Sequence, residues 1–351
     1  MTNPTLQSDA RPARPRPVLM IPLRRCGSHA LRLRLNANPD FYAPYPLHIV
    51  DFMPLVELYG DLSDDVAYFQ MVVDIVGLQA VSMVKWPRVV FDPVVIFDAI
   101  KDEPRSVHRI VWELLFQCGM QHGAKVVMDK SLDNVHYATE LIKLFDDMLF
   151  LNVVRDPRAQ INSMNKAIIH DFDSLLNALT WAKSYAQGSA LATLYPERVL
   201  TVRYEDFISN QEAVLRKICE FFQMEFSVDM LDVSRNQEAQ QIATMSALWV
   251  SNAHAPIPAN VDKFKKSLSM EEIAIIETVA ADAMQQYGYE RMTTGKVDIT
   301  DAMVAQAKLS SEAKRKKAWE DLAKNDHRDY ALRQLRINYL RMVKERLLSK
   351  A

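Results

Sequence analysis

The sequence predicts an α/β protein in which a mostly parallel sheet is flanked by helices, with a helical extension at the C-terminal end. Two observations predict this class. Short apolar runs alternate with helical patterns up to about residue 222, and no strand candidate follows residue 300. The chain has 351 residues, which is enough for one large domain or two. Residues 1–16 are polar and contain alternating Pro and Arg, so we expect a disordered leader there.

Four apolar runs are typical of buried strands, and they occupy residues 17–23, 125–128, 148–154 and 198–202. Helical patterns lie between or after them, at residues 30–36, 62–80, 104–121, 134–145, 157–170, 172–194 and 211–222. We therefore expect one main domain over residues 17–291, with a largely helical region at residues 51–121.

Residues 300–351 are heavily charged and are predicted to form one or two amphipathic helices. Their apolar stripe is formed by Leu332, Leu335, Tyr339 and Met342. Two interpretations remain open. The helices either dock on their own domain with a solvated outer face, or they provide a basic arm or a surface for a partner, including a homodimer.

Composition restricts the possible partners. The formal net charge is −2, which argues against a general nucleic-acid binder, so any anion site must be local. The three cysteines lie far apart and predict neither a disulfide framework nor a cysteine zinc site. No apolar run is long enough to span a membrane. We expect a cytoplasmic protein.

The loop after the first strand has the features of an anion site. Free backbone N–H groups and the positive end of the helix dipole converge where a strand leads into a helix. Gly27 allows close approach of an anion, Ser28 adds a hydroxyl donor and Arg25 adds positive charge. The loop is not a Walker A motif, because no Lys follows the glycine in the required spacing.

A second candidate anion segment follows the strand that ends at residue 154. Arg155 is expected at the carboxyl end of that strand, and Pro157 is suited to the first position of the next helix. Ser163 is then expected two turns along the helix. Since ligands of open α/β sheets bind at this edge, a guanidinium and a hydroxyl here are suited to holding a second phosphate.

Together these segments resemble the motifs of sulfotransferases that use 3′-phosphoadenosine-5′-phosphosulfate (PAPS). The first motif is matched by Arg25-Cys26-Gly27-Ser28-His29, and the second by Arg155-Asp156-Pro157 with Ser163. The segment Arg203-Tyr204-Glu205-Asp206-Phe207 is similar to a third motif of the family. Weaker similarities occur at Asp129-Lys130-Ser131 and at residues 286–290. The resemblance extends over residues 17–291.

The resemblance implies a fold like that of P-loop NTPases and the transfer of a sulfuryl group from PAPS to a hydroxyl or an amine. It implies that the donor is held by Arg25, Cys26, Gly27, Ser28, His29, Arg155, Ser163 and Tyr204. Arg25 and Lys130 would stabilise the charge that develops on the leaving phosphate. No metal is required, because cationic side chains can offset the charge of the donor. The acceptor, a small molecule or a glycan, is expected to contact residues 41–121, which include the helical acceptor-side region 51–121.

A general base must take the proton of the acceptor. His48 is the first candidate because two prolines stiffen its loop and an imidazole suits this role near neutral pH. Asp51 and His29 are the alternatives. Two further features are expected near the ligands: Trp86 in the acceptor pocket, and a late basic loop over the donor that contains Lys263, Lys265 and Lys266.

The sequence also departs from the family pattern. Cys26 replaces a usual Ser, His29 replaces a hydroxyl residue, and Leu132 stands where Pro is common. Cys26 is either a buried small residue or an oxidation-sensitive thiol. These departures leave two alternatives to a sulfotransferase: a P-loop kinase that uses ATP, and a catalytically degenerate PAPS-binding interaction protein.

Overall fold

A five-stranded parallel sheet forms the centre of the protein. The computed structural model describes residues 14–232 and 257–349, together with residues 238, 240, 241 and 244. The strands are β1 (Arg16–Ile21), β2 (Phe41–Tyr42), β3 (Val126–Asp129), β4 (Leu149–Val154) and β5 (Val199–Arg203). They are arranged in the order β2-β3-β1-β4-β5. The predicted α/β class is confirmed, whereas residues 1–13 of the predicted leader lie outside the described residues.

Helices cover the sheet and extend the chain beyond it. They are α1 (Ser28–Leu35), α2 (Asp65–Ala80), α3 (Pro93–Ile100), α4 (Val107–Gln121), α5 (Ala138–Leu144), α6 (Pro157–Met164), α7 (Ser174–Leu194), α8 (Tyr204–Ser209), α9 (Gln211–Phe222), α10 (Met270–Val279), α11 (Ala281–Tyr287), α12 (Asp301–Asn325) and α13 (His327–Leu348). Short 3₁₀ helices occupy Ile49–Asp51, Met53–Tyr59, Leu132–Tyr137, Val228–Leu231, Pro258–Asn260 and Lys263–Lys266.

Several boundaries differ from the prediction. β2 was not predicted, because two residues are too short to show a period. β1 begins at Arg16 and ends at Ile21, so it is displaced toward the N-terminus, and α6 ends at Met164 instead of residue 170. α3 lies inside the predicted helical region but was not identified as a separate helix.

The core lies on both faces of the sheet. Leu19 and Ile21 of β1 pack into one hydrophobic cluster with α2 and α4, whereas Val18 and Met20 pack into a second cluster with α1 and α9. Because alternate residues of a strand point to opposite faces, this division shows that β1 is buried on both sides. Because all five strands are parallel, their carboxyl ends meet at one edge of the sheet, and the candidate site lies there.

The C-terminal helices are docked on the domain. Ser311 of α12 accepts a hydrogen bond from the Phe172 amide, and α13 buries Val343 and Leu347 in the core. The hydroxyl of Tyr339 donates to the Asp74 carbonyl oxygen of α2. The predicted stripe is not buried as a whole against the domain, since Leu335 and Met342 are 47% and 53% exposed. No helix in the described part of the chain is long and apolar enough to span a membrane.

Candidate functional site

A cavity of about 1180 Å³ opens at the carboxyl edge of the sheet. Of the predicted site residues, the following line it: Arg25, Gly27, Ser28, His29, His48, Lys130, Arg155, Ser163 and Tyr204. They come from the segments after all five strands, β1 to β5, so the fold brings together residues that are distant in the sequence.

The two predicted anion segments are directly connected. Arg25 Nε donates to Ser163 Oγ at 3.0 Å, and Arg155 Nη1 donates to the Arg25 carbonyl oxygen at 2.8 Å. Arg25 also has a left-handed backbone, with φ of 72°, which is uncommon for a residue other than glycine. These contacts hold the loop after β1 and helix α6 as one unit.

Gly27 and Tyr204 pack closely against each other in this unit. Gly27 has φ of 90°, and a Cβ atom placed on it would lie 2.3 Å from Tyr204 Cδ2. The Arg155 guanidinium lies 4.3 Å from the centre of the Tyr204 ring, within the range of a cation–π interaction. The position therefore requires a glycine because of both its backbone conformation and the nearby aromatic ring.

Glu205, the residue after Tyr204, is fixed by two hydrogen bonds to its carboxylate. One carboxylate oxygen of Glu205 accepts from the Asp156 amide at 3.0 Å, and the other accepts from the Tyr289 hydroxyl at 2.9 Å. The third motif and the late Tyr-Gly-Tyr segment thus support the start of α6. Sequence similarity indicated both segments but not this contact.

The side chain of Cys26 is fully buried among apolar residues of the core. Burial raises the pKa of its thiol to about 11, so the thiol stays protonated. Of the two interpretations of Cys26, the buried small residue agrees with this geometry and the oxidation-sensitive thiol does not. Only its backbone can contribute to a ligand site.

Lys130 and His29 form a buried pair. Lys130 Nζ lies 3.1 Å from His29 Nε2, and the Lys130 residue is only 2% exposed. Burial, followed by the charge of Arg32, lowers the pKa of Lys130 from 10.5 to about 7. Burial also lowers the pKa of His29 well below 6.5, followed by the effect of Lys130, so the imidazole is neutral. When Lys130 is charged, it donates to this neutral ring.

Three of the cavity's cations have no ion-pair partner among the described residues. In the described part of the chain, Arg25, Lys130 and Arg155 form no ion pair, whereas Arg24 pairs with Asp133 at 2.9 Å. Burial, followed by Arg155 and Arg24, lowers the pKa of Arg25 to about 10. Buried cations are costly unless they are paired, so this arrangement suits a multiply charged anion.

His48 lines the same cavity with a left-handed backbone, φ 54°. Its amide donates to Ser131 Oγ at 3.1 Å, and its carbonyl oxygen accepts from Arg336 of α13 at 2.9 Å. Burial lowers the pKa of His48 well below 6.5, with Arg24 and Lys130 acting in the same direction. The imidazole is therefore neutral at pH 7 and able to accept a proton.

The other candidates are distributed as follows. Asp51 lines the cavity, but its carboxylate pairs with Arg336 at 3.1 Å. Lys263 lines the cavity, whereas Lys265 pairs with Asp262 at 2.8 Å. Trp86 is buried outside the lining, and its indole donates to the Tyr45 carbonyl oxygen at 2.7 Å.

Sequence reasoning missed the contribution of α12 and α13 to the cavity. They provide Trp319, Arg333, Arg336, Ile337 and Leu340. Of the residues expected to contact the acceptor, 41–121, the lining includes Tyr45, Pro46, His48, Asp51, Ser82 and Met83, and only the last three belong to the helical region 51–121. Charge in residues 333–344 was visible in the sequence, but a charge pattern does not reveal where a helix docks.

Comparison with known proteins identifies the family. The model of the sulfotransferase family matches residues 17–228. The chain belongs to the sulfotransferase family. The matched segment contains β1 to β5 and the joined anion segments, whereas α12 and α13 lie outside it. No curated protein sequence matches this sulfotransferase.

Two solved sulfotransferase structures share the fold. One is the sulfotransferase domain from the Synechococcus PCC 7002 olefin synthase, with 21% identity, a TM-score of 0.52, and coverage of 77% of this chain and 96% of that one. The other is the sulfotransferase domain from the curacin biosynthetic pathway, with 19% identity, a TM-score of 0.50, and coverage of 80% and 99%. The expected P-loop-like sulfotransferase fold is confirmed. Among the described residues, no group of three or more His, Cys, Asp or Glu side chains is placed to hold a metal ion.

Proposed function

We propose that the protein is a PAPS-dependent sulfotransferase. The observation that carries the proposal is the group formed by Arg25, Lys130 and Arg155, three cations at the joined anion segments that form no ion pair within the described residues. A donor with phosphates at both ends and a sulfate supplies the negative charge that this group lacks.

The donor is held by two parts of the site. The backbone amides of residues 26–29 at the start of α1, together with Arg25 and Lys130, take the 5′-phosphosulfate. Arg155 and Ser163 take the 3′-phosphate, and the Arg155 Nε, which is buried without a hydrogen-bond partner among the described residues, is suited to it. When bound, PAPS supplies an activated sulfuryl group and leaves as 3′,5′-ADP.

Lys130 stabilises the charge on the leaving phosphate. Its pKa of about 7 is low because burial penalises the ammonium form. An anion beside it favours the charged form and raises the pKa again. The neutral ring of His29, 3.1 Å away, orients the ammonium without adding a competing charge.

His48 acts as the general base. Its neutral imidazole accepts the proton of the acceptor hydroxyl as the oxygen attacks sulfur. Ser131 accepts a hydrogen bond from its amide and Arg336 donates one to its carbonyl oxygen, so the backbone that carries the ring is fixed at both groups. Asp51 is less suited, because its carboxylate is occupied by Arg336.

Calorimetric titration with 3′,5′-ADP tests the donor assignment. We expect Arg155→Ala to weaken binding by about a hundredfold, because the 3′-phosphate loses a charge-assisted bidentate partner. The exposed Arg216 of α9, which pairs with Glu212 on the surface, provides the control Arg216→Ala. Binding of ATP with Mg²⁺ in preference to 3′,5′-ADP would contradict the proposal and favour a kinase. Donor binding without transfer to any acceptor would favour the degenerate binding protein.

A further inference from the structure

The wall formed by α12, α13 and their neighbours differs in character from the donor side of the cavity. It is mainly apolar, and its members are Met83, Ile168, Ile169, Trp319, Ile337 and Leu340. Arg336 belongs to the same wall and donates to the His48 carbonyl oxygen, so the wall adjoins the candidate base. A molecule bound against it would present its reactive group beside His48.

The two arginines that α13 contributes to this wall form ion pairs. Arg336 pairs with Asp51 at 3.1 Å, and Arg333 pairs with Asp329 at 2.8 Å, one turn earlier in α13. Arg25, Lys130 and Arg155 on the donor side have no such partners in the described part of the chain. The cavity therefore has a donor side with cations that are unpaired among the described residues and a neutral side next to α13, where both arginines are paired.

Ile337 indicates which kind of ligand surface the neutral side favours. It is a large aliphatic residue that faces the cavity and is 45% exposed. Covering apolar surface gains about 25 cal/mol per Å². A ligand that covers Ile337 with hydrocarbon is stabilised in this way, whereas a carboxylate or a sugar hydroxyl placed against this aliphatic side chain would lose water and gain no hydrogen bond from it.

We propose that the acceptor is a neutral alcohol or phenol with an apolar body, and that the C-terminal helices provide its binding site. The inference rests on the proposed sulfuryl transfer. The acceptor oxygen forms a bond to sulfur and loses its proton to His48, while the bond between sulfur and the bridging phosphate oxygen breaks. The products are a sulfate ester and 3′,5′-ADP.

The test measures acceptor binding to the full protein saturated with 3′,5′-ADP, so no turnover is needed. The probes are octan-1-ol and 4-propylphenol, compared with octanoate and glucose. We expect both neutral probes to bind at least about tenfold more tightly than octanoate or glucose. Ile337→Asp should weaken binding of the neutral probes by about tenfold, because it places a charge against the apolar body.

Leu335→Asp is the matched control. Leu335 lies on the same helix, is 47% exposed and does not line the cavity, so this variant should bind the neutral probes like the wild type. Tighter binding of octanoate or glucose, absence of binding by both neutral probes, or equal losses in the two variants would overturn the inference. The affinity for 3′,5′-ADP is measured separately in each variant. If the wild type does not bind 3′,5′-ADP, the proposed function itself is refuted.

Discussion

The guanidinium of Arg25 donates from Nε to Ser163 Oγ at 3.0 Å. Arg25 follows β1 and Ser163 lies in α6, so one hydrogen bond joins the two segments that we assign to the two ends of the donor. Ser163, which we propose as a ligand of the donor, is therefore also a support for Arg25.

This contact predicts that the two residues are energetically coupled. We expect Ser163→Ala to weaken 3′,5′-ADP binding by about fivefold and Arg25→Ala to weaken it more strongly. The double variant should lose less than the product of the two factors, because each single change already removes the shared bond. Titration calorimetry on the wild type, the two single variants and the double variant measures the coupling. If the loss of affinity in the double variant equals the product of the two single losses, the bond does not matter for binding.

A second prediction concerns Gly27. Gly27→Ala should abolish measurable donor binding, because the new Cβ would lie 2.3 Å from Tyr204 Cδ2 and displace the ring on which Arg155 rests. Gly123 has a similar backbone, with φ of 68°, but nothing lies within 4 Å of the position of its Cβ. Gly123→Ala should therefore cost about 1–2 kcal/mol of stability from backbone strain and leave binding unchanged. Donor binding that survives in Gly27→Ala would refute the role of the ring.

Lys130 predicts a pH-dependent donor affinity. Its pKa of about 7 means that the ammonium form is lost above neutral pH in the free protein, and an anion restores it. Binding of 3′,5′-ADP at pH 8 should therefore be accompanied by uptake of a proton, seen as a dependence of the calorimetric enthalpy on the buffer. Lys130→Arg keeps its charge over this range and should take up none. If the wild type and Lys130→Arg both take up a proton, the proton binds to a group other than Lys130.

The same residue predicts a trade-off between binding and stability. Between pH 7 and 10.5 the unfolded chain holds a proton on Lys130 that the folded protein has lost, so this group makes stability rise with pH in that window. At pH 7 and below, the buried ammonium is a cost to folding. Lys130→Met should raise the melting temperature at pH 6 by on the order of 3 °C while it weakens donor binding. A lower melting temperature would contradict this view.

Arg336 is predicted to be a positioning residue for His48. Arg336→Ala should reduce kcat by about tenfold and leave the affinity for 3′,5′-ADP unchanged, because the residue holds the His48 backbone and does not reach the donor side. Removing its charge also raises the pKa of His48, so the acidic limb of the kcat profile should move to higher pH. Arg341→Ala, an exposed change on the same helix, is the control. An unshifted profile would mean that Arg336 does not act through His48.

Local patterns were sufficient to predict the donor side. The apolar run of β1, the glycine at position 27 and the Arg155–Pro157 turn are each determined by residues close in sequence, and the structure joins them at one edge of the sheet. The placement of α13 was not predictable in this way. Tyr339 and Leu335 belonged to the same predicted stripe, but contacts with α2 bury part of Tyr339 and leave Leu335 exposed. Such a choice depends on tertiary packing and not on helical period.

The hydrogen bond between Arg336 and His48 joins residues 288 positions apart. A contact of such long range closes a large loop of the chain, and closing that loop costs conformational entropy. The residues that we assign to the donor, from Arg25 to Tyr204, lie within the matched sulfotransferase segment, whereas Arg336 lies outside it. The wall beside the proposed base is therefore supplied in part by a stretch of the chain that the family segment does not include.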